Sequence, residues 1–386
     1  MLIEQNVING SGKIKSTLKG ELYTSPVIFE LERKHIFAKH WLFVGYEYDV
    51  AEPGQYITLK VEGENILIIR GKDHVLRGFL NVCRHRGATL CSDSSGKTGI
   101  IRCPYHSWSY GLDGRLAGVP KSSECREELV NNENYGLEKV NVQTWHGLIW
   151  LNLSGEPLPL EQQLDPQIIE RFGELETLAR YQIQNLRVAH RKEYDVKANW
   201  KIIVENFQEC YHCSAIHPEL TSAFPQFRSG VGTQNETGSG ASFSENIEAF
   251  SISGKGNRPM LKGLLPEDDR LYYGMTINPH VFINLTPDHV IIHRIIPINA
   301  ERSIVICDWL FDPDEMDKEG FDAADAVELF HRVNEQDFEA CQWCQENMGS
   351  RAYQNGGILV PIEHHVSRFY DYVLESIGLS TSQIAN

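Results

Sequence analysis

The sequence predicts an α+β chain in two regions: a small antiparallel β domain, then an antiparallel sheet closed over by long helices. Three observations carry this. Between Trp41 and about Leu153, short apolar and β-branched runs alternate with Gly-containing turns, the texture of a small antiparallel β domain. Beyond about residue 156, strand-like runs share the chain with long stretches of helical apolar spacing. The length, 386 residues, suffices for two domains of ordinary size, each with its own core.

Residues 1–40 form an N-terminal segment ending in a predicted helix, Phe29 to His40, whose apolar residues recur at helical spacing. In the β region, 41–155, Tyr56 to Val61 and Asn65 to Arg70 read as strands. Val75 to Val82 reads as another after the Gly71-Lys-Asp-His74 turn, and Trp145 to Asn152 as a further one. The third segment, 156–386, opens with a linker over 157–165 and a helix over about 167–180. Strand-like Asn185 to Ala189 leads into a helix from about Trp200 to Tyr211. Residues 218–269, rich in Gly, Ser and Asn, show no assignable period. Strands resume at Gly274–Ile277, Val281–Leu285, Val290–Ile296 and Ser303–Phe311, a meander by their spacing, and helices cover about 321–347 and 363–376.

Composition narrows the function classes. No apolar run approaches the roughly eighteen residues of a membrane span, and Met1 to Lys19 is polar, without the apolar core of a secretory signal. The reading is a cytoplasmic protein without a membrane anchor. The formal charge of −16, from 36 basic and 52 acidic residues, argues against non-specific nucleic-acid binding. It is compatible with a basic electron-donor protein or a cationic substrate, and it favours solubility in any case. Nine cysteines in such a chain are not a disulfide framework. Cys83 and Cys103 have a metal-binding explanation, whereas Cys91, Cys125, Cys210, Cys213, Cys307, Cys341 and Cys344 read mostly as small buried apolar residues. Cys341-Gln-Trp-Cys344 has redox spacing but sits in helical sequence without the βαβ setting of that motif.

Two clusters of metal-ligand type lie about a hundred residues apart. The first is Cys83-Arg-His85, seventeen residues, then Cys103-Pro-Tyr-His106. A Cys2His2 iron–sulfur centre places both histidines on one iron, and neutral imidazoles in place of thiolates raise its potential. A structural zinc site is the alternative, but zinc fingers put both cysteines on one arm and both histidines on the other, and here each arm is mixed. The second cluster is Glu209-Cys-Tyr-His212, four residues, then His217. With a carboxylate from elsewhere, two histidines make a facial triad that leaves positions on Fe(II) for O2 and substrate. Pro218 marks the end of the helix that carries them. His289 and His293 in strand-like sequence read as hydrogen-bonded core histidines, and His364-His365 as a partly exposed helical pair.

Cys83-Arg-His85-Arg-Gly and Cys103-Pro-Tyr-His106-Ser-Trp-Ser-Tyr-Gly resemble the motif of Rieske non-haem iron oxygenases. Tyr105 stands where respiratory-type Rieske proteins carry an additional second-loop cysteine, which points to the oxygenase type. Asn199-Trp200-Lys201 through Glu205-Asn206-Phe207-Gln208-Glu209 to His217-Pro resembles the catalytic segment of the same family. The resemblance, over about residues 20–380, implies a Rieske 2Fe–2S domain followed by a helix-grip (START-like) catalytic domain. It implies a 2Fe–2S cluster on Cys83, His85, Cys103 and His106, and a mononuclear Fe(II) on His212, His217 and Asp337, with Glu335 and Glu339 as alternative registers for the acid. Many members carry an aspartate at the position of Glu209, whereas the carnitine and glycine-betaine oxygenases carry glutamate. By resemblance, Glu209 would bridge to His106 or His85 of an adjacent subunit in a homotrimer. There is no G-x-G-x-x-G fingerprint, so NAD(P)H would be oxidised by a separate flavin and iron–sulfur reductase. The implied function is a terminal oxygenase that hydroxylates or N-demethylates a small quaternary-ammonium or N-methyl compound. The alternative is the alpha subunit of an aromatic-ring-hydroxylating dioxygenase. A pure electron carrier would leave residues 185–386 without a role.

Overall fold

The computed structural model describes residues 14–230, 238, 240–256 and 258–379. Contacts divide the chain into two compact units: Phe37–Gln163, and the residues up to Ile36 together with those from Leu164 onward.

The Phe37–Gln163 unit is built on an antiparallel sheet. Its strands are β1 (Leu42–Tyr46), β2 (Gln55–Val61), β3 (Glu64–Arg70), β4 (Leu76–Leu80), β5 (Ser95–Lys97), β9 (Lys139–Trp145) and β10 (Leu148–Asn152), in the order β1-β10-β9-β4-β3-β2-β5. Three short strands, β6 (Ile101–Arg102), β7 (Ser109–Tyr110) and β8 (Leu116–Gly118), make a second sheet. The β-branched run of β3 is fully buried from Ile66 to Ile69, as a central strand covered on both faces requires. The stretch Trp145 to Asn152, which reads as one strand, is the corner of the β9–β10 hairpin. His146 (φ 48°) and Gly147 (φ 76°) supply two successive left-handed residues, which a two-residue hairpin loop needs. His146 is a poor advertisement for a turn, so the corner is concealed in the sequence.

In the other unit, six antiparallel strands follow the order β11-β16-β15-β14-β13-β12. They are β11 (Arg187–Val196), β12 (Ala241–Ser242), β13 (Leu271–Ile277), β14 (Val281–Leu285), β15 (Val290–Asn299) and β16 (Arg302–Phe311). The β13–β16 run is the meander the sequence suggests. Six helices matter for the site: α1 (Pro26–Glu32), α2 (Trp200–Phe207), α3 (Cys213–Ile216), α4 (Pro218–Ala223), α5 (Ala324–Asn347) and α6 (His364–Ser376). Helix α5 buries one stripe, Ala326, Leu329, Phe330, Val333, Asn334, Asp337, Phe338, Cys341 and Gln345, at the spacing of a helix laid on a core. Ser25 caps α1, and α1 is tied to α2 by a fully buried ion pair. Lys201 Nζ lies 2.5 Å from Glu32 Oε1, and Trp200 Nε1 donates to Glu32 Oε2 at 2.8 Å.

Several boundaries depart from the sequence reading. The N-terminal helix ends at Glu32 and passes into a π turn, Arg33–Phe37. The supposed linker at 157–165 instead opens a helix, Leu160–Phe172, that runs through Pro166. Helix α2 stops at Phe207, not Tyr211, capped at its start by Asn199. In 218–269, α4, a 3-10 turn at Pro225–Ser229 and β12 appear, anchored by buried Phe224, Phe227 and Phe250.

Candidate metal centres

The two Cys-x-His and Cys-x2-His loops of the β unit are built alike. Cys83 N–H donates to Ala88 O at 2.8 Å, and Gly87 N–H returns to Cys83 O at 3.0 Å. Cys103 N–H donates to Trp108 O at 2.8 Å, and Ser107 N–H returns to Cys103 O at 3.0 Å. The residue four after each cysteine is left-handed, Gly87 at φ 72° and Ser107 at φ 59°, which closes each loop tightly. Both cysteines belong to the buried cluster of Leu67, Ile69, Phe79 and Tyr110. His85 and His106 are exposed, and their rings meet edge to face with centroids 4.7 Å apart. Trp108 stacks on His85 at 4.8 Å. Two thiols inside and two adjoining imidazoles outside fit a binuclear cluster with its sulfur-ligated iron buried and its imidazole-ligated iron at the surface. The Tyr110 hydroxyl sits 3.4 Å from Cys83 Sγ and accepts from Arg84 N–H at 3.0 Å. Burial and the neighbouring thiol hold its phenol well above the usual range.

The second cluster assembles in the other unit. His212 and His217 bracket the single turn of α3, one at each cap. Opposite them, α5 presents Asp337. Asp337 Oδ1 lies 2.9 Å from His217 Nε2 and 3.3 Å from His212 Nε2. Glu335 and Glu339, on other faces of α5, are exposed. Each imidazole is held from behind at Nδ1. Glu209 Oε1 is 2.5 Å from His212 Nδ1, and Gln336 Oε1 is 2.7 Å from His217 Nδ1. A carboxylate only accepts, so the Nδ1 proton of His212 points at Glu209 and Nε2 is left for the shared centre. Gln336 is steadied by Glu219, which Arg332 also engages, and Asn206 Nδ2 donates to Asp337 Oδ1 at 3.1 Å.

Burial disfavours the charged form of His212, but Asp337 and Glu209 at its two nitrogens outweigh this and hold its pKa up at about 11. Burial likewise opposes ionisation of Asp337, and the two imidazoles outweigh it, keeping the carboxyl well below its usual range. Without a metal, a proton at His212 Nε2 therefore stands between that imidazole and Asp337. Two Nε2 atoms converging on one carboxylate oxygen, with both Nδ1 atoms backed by acceptors, fit the donor set and support of a mononuclear metal site.

Cys213, which reads in the sequence as a small buried apolar residue, lies beside this cluster. Its Sγ is 3.8 Å from His212 Nε2, and the ligand atoms of His212, Cys213 and His217 lie within 4.8 Å of one another. The sequence does carry the signal, since Cys213 adjoins His212, but an unpaired cysteine is ordinarily a small core residue. Buried aromatics pack on the elements next to the centre, Phe207 on α2 and Phe330 on α5 among them. Phe207 stacks on Phe282 at 4.7 Å, Tyr272 on Phe250 at 4.9 Å, and Phe330 tilts on His293 at 5.3 Å. His293 bonds Asn334 Oδ1 at 3.0 Å, one turn before Asp337, and burial lowers its pKa to about 4, so it is neutral. His289 bonds Asp288 and Thr286, and His364 and His365 are half-buried at the start of α6.

Comparison with known proteins bears on both centres. Residues 40–142 match the Rieske [2Fe-2S] domain family, and residues 183–378 match the catalytic domain of the ring-hydroxylating alpha subunit family. The chain belongs to the Rieske non-haem iron oxygenases. It is an oxidoreductase of that family, whose centres are a Rieske 2Fe–2S cluster and a mononuclear non-haem iron. It is 32% identical to the carnitine monooxygenase oxygenase subunit of Acinetobacter pittii, over 87% of this chain and 86% of that one. It is 29% identical to the glycine betaine monooxygenase oxygenase subunit of Pseudomonas aeruginosa, over 93% and 88%. A crystal structure of a quaternary ammonium Rieske monooxygenase with L-carnitine superimposes with a TM-score of 0.73 at 28% identity, covering 94% of this chain and 96% of that one. Naphthalene 1,2-dioxygenase from Rhodococcus shares the fold, with a TM-score of 0.69 at 18% identity and 94% of each chain covered. Among the described residues, no helix is long and apolar enough to cross a membrane.

Proposed function

We propose that this protein is the terminal oxygenase of a multicomponent system that hydroxylates or N-demethylates a small quaternary-ammonium or N-methyl compound. A separate NAD(P)H-dependent reductase supplies the electrons. The carnitine and glycine betaine relatives support the substrate class. The observation in this chain that carries it is Glu209 behind His212, the glutamate by which the sequence resembles the carnitine and glycine-betaine oxygenases.

In this reading Cys83, His85, Cys103 and His106 hold the 2Fe–2S cluster, and His212, His217 and Asp337 hold the iron. The cluster supplies electrons one at a time, and the iron supplies open positions for O2 beside the substrate. Glu209 fixes the tautomer of His212 and keeps acceptor capacity for a second imidazole. It would use that capacity toward His85 or His106 of a neighbouring subunit in a homotrimer. A solved relative is described in terms of inter-subunit electron transfer, which supports this. The β unit, about residues 41–155, is then the Rieske domain, and the segments at 1–40 and 156–386 form the catalytic domain. All nine cysteines are free, which suits work in the reducing cytoplasm.

The test is a single turnover of chemically reduced holoprotein mixed with O2 and a panel of betaines, N-methyl amines and simple aromatic acids. Cluster reoxidation coupled to formaldehyde or a hydroxylated amine only with the nitrogen compounds is expected. Coupling only with the aromatic acids would replace this reading with a ring-hydroxylating dioxygenase.

A further inference from the structure

The centre holds one ligand-type atom more than a facial triad uses. Cys213 Sγ stands 3.8 Å from His212 Nε2, within a group whose ligand atoms all fall inside 4.8 Å. For a tetrahedral ion with metal–nitrogen bonds of about 2.0–2.1 Å and a metal–sulfur bond of about 2.3 Å, the nitrogen–sulfur edge is roughly 3.6 Å. The observed separation is close to that edge. Asp337 meets the same two imidazoles at 2.9 and 3.3 Å, inside the roughly 2.9–3.3 Å span of nitrogen–oxygen edges about one metal ion. One imidazole pair therefore has two candidate third ligands of opposite character, a hard carboxylate and a soft thiol.

Cys213 is fixed in this place by the local fold. His212 caps α3, so Cys213 is its first residue, with its N–H bonded to Cys210 O at 3.1 Å. It is buried, at 3% exposure. Carboxylate with imidazole serves ferrous iron and zinc alike, whereas a soft thiolate with imidazole favours zinc over ferrous iron.

We propose that His212, His217 and Cys213 form a zinc-selective ligand set overlapping the iron site, in which Cys213 takes the role that Asp337 takes for iron. This rests on the assignment of His212, His217 and Asp337 to the iron. Coordination exchanges the Sγ proton for the metal, with the proton released to solvent and no change of oxidation state. Zinc held this way occupies both imidazoles, so it excludes iron and silences O2 chemistry while the cluster remains intact. The chain thereby carries a built-in sensitivity to zinc in its own ligand geometry.

The experiment uses the full-length protein with its 2Fe–2S cluster in place. The mononuclear iron is removed by a chelator, and one equivalent of Zn(II) is added. X-ray absorption at the zinc edge reads the ligands without interference from cluster iron. One sulfur at about 2.3 Å with nitrogen at about 2.0–2.1 Å is expected. Cys213→Ser should remove the sulfur shell and weaken zinc by at least the roughly tenfold that losing even an outer-shell partner costs, and Cys210→Ser should keep the shell. A nitrogen and oxygen shell alone in the unmodified protein would overturn the proposal. So would an unchanged zinc affinity in Cys213→Ser, or a sulfur shell that survives His217→Ala. Asp337→Asn separates the two readings. It should lose ferrous iron yet keep the zinc–sulfur shell; retained iron would refute the triad assignment, and a lost sulfur shell would refute the zinc set.

Discussion

The two candidate metal centres are put together in opposite ways. The Cys83–His85 and Cys103–His106 loops are closed by their own backbone bonds, each cysteine paired with residues four and five further on. Their thiols double as core residues of the β unit. The second centre needs α3 to supply two imidazoles and α5 to supply Asp337 from 120 residues beyond His217, with Gln336 and Glu209 holding the rings. One centre is local and merged with its core. The other is a meeting of distant segments whose ligands are held by polar partners, so removing a ligand should have different consequences in each.

The largest expected effect breaks that comparison directly. His217→Ala should lose the mononuclear iron and lower turnover on the order of a thousandfold, beyond the roughly 10–100-fold of an outer-shell loss. The visible spectrum of the cluster should be unchanged. Cys103→Ser should abolish that spectrum and also lower the thermal stability of the β unit, because its Sγ is part of the core. Metal content per chain, the spectrum and calorimetry distinguish the two, and equal stability losses would erase the contrast.

Next in size is Lys201→Met. It leaves Glu32 as a buried charge without its ammonium partner and should cost about 3–5 kcal/mol. Adding Glu32→Leu should recover much of it by denaturant titration. Glu209→Gln sharpens the comparison on the side of the distant centre. The amide keeps the size but not the charge that orients His212, so turnover should fall about 10–100-fold with iron content largely retained.

A smaller effect is a pH slope. Burial raises the carboxyl pKa of Glu205 to about 8, where it accepts from Tyr23 at 2.8 Å. Below the ordinary carboxylate pKa both folded and unfolded chains bind this proton. Between about 4.5 and 8 only the folded chain does, so stability falls as pH rises through that window, by on the order of a few kcal/mol. Glu205→Gln should flatten this slope in unfolding measured from pH 5 to 8; an unchanged slope would place the titration elsewhere. The smallest effect is Tyr110→Phe. It removes about 1 kcal/mol of hydrogen bonding beside Cys83 and should lower the cluster potential without altering the fold.

The local centre was legible because turn chemistry and ligand spacing sit in the same few residues: Cys-x-His and Cys-x2-His with Gly87 beside them are visible in the sequence. Asp337 was less legible, because the register of α5 read from sequence leaves open which acid faces inward. Its choice over Glu335 and Glu339 followed from resemblance, and the fold supplies the physical ground by facing those two to solvent. The corner at His146-Gly147 and the end of α2 at Phe207 were not legible. Neither is marked by the residues that usually announce a turn or a stop.

By itself the sequence determined the donor types, their grouping into a mixed thiolate–imidazole set and a two-histidine set, and the order of the β and α+β regions. These follow from side-chain chemistry and short-range spacing. Only the tertiary structure decided that Glu209 and Gln336 stand behind the imidazoles, that Asn206 reaches Asp337, and that Cys213 Sγ lies beside His212. Those contacts join residues up to about 130 positions apart, as Asn206 and Asp337 are. No periodicity records which face of one element will meet which face of another until both are packed on the same core.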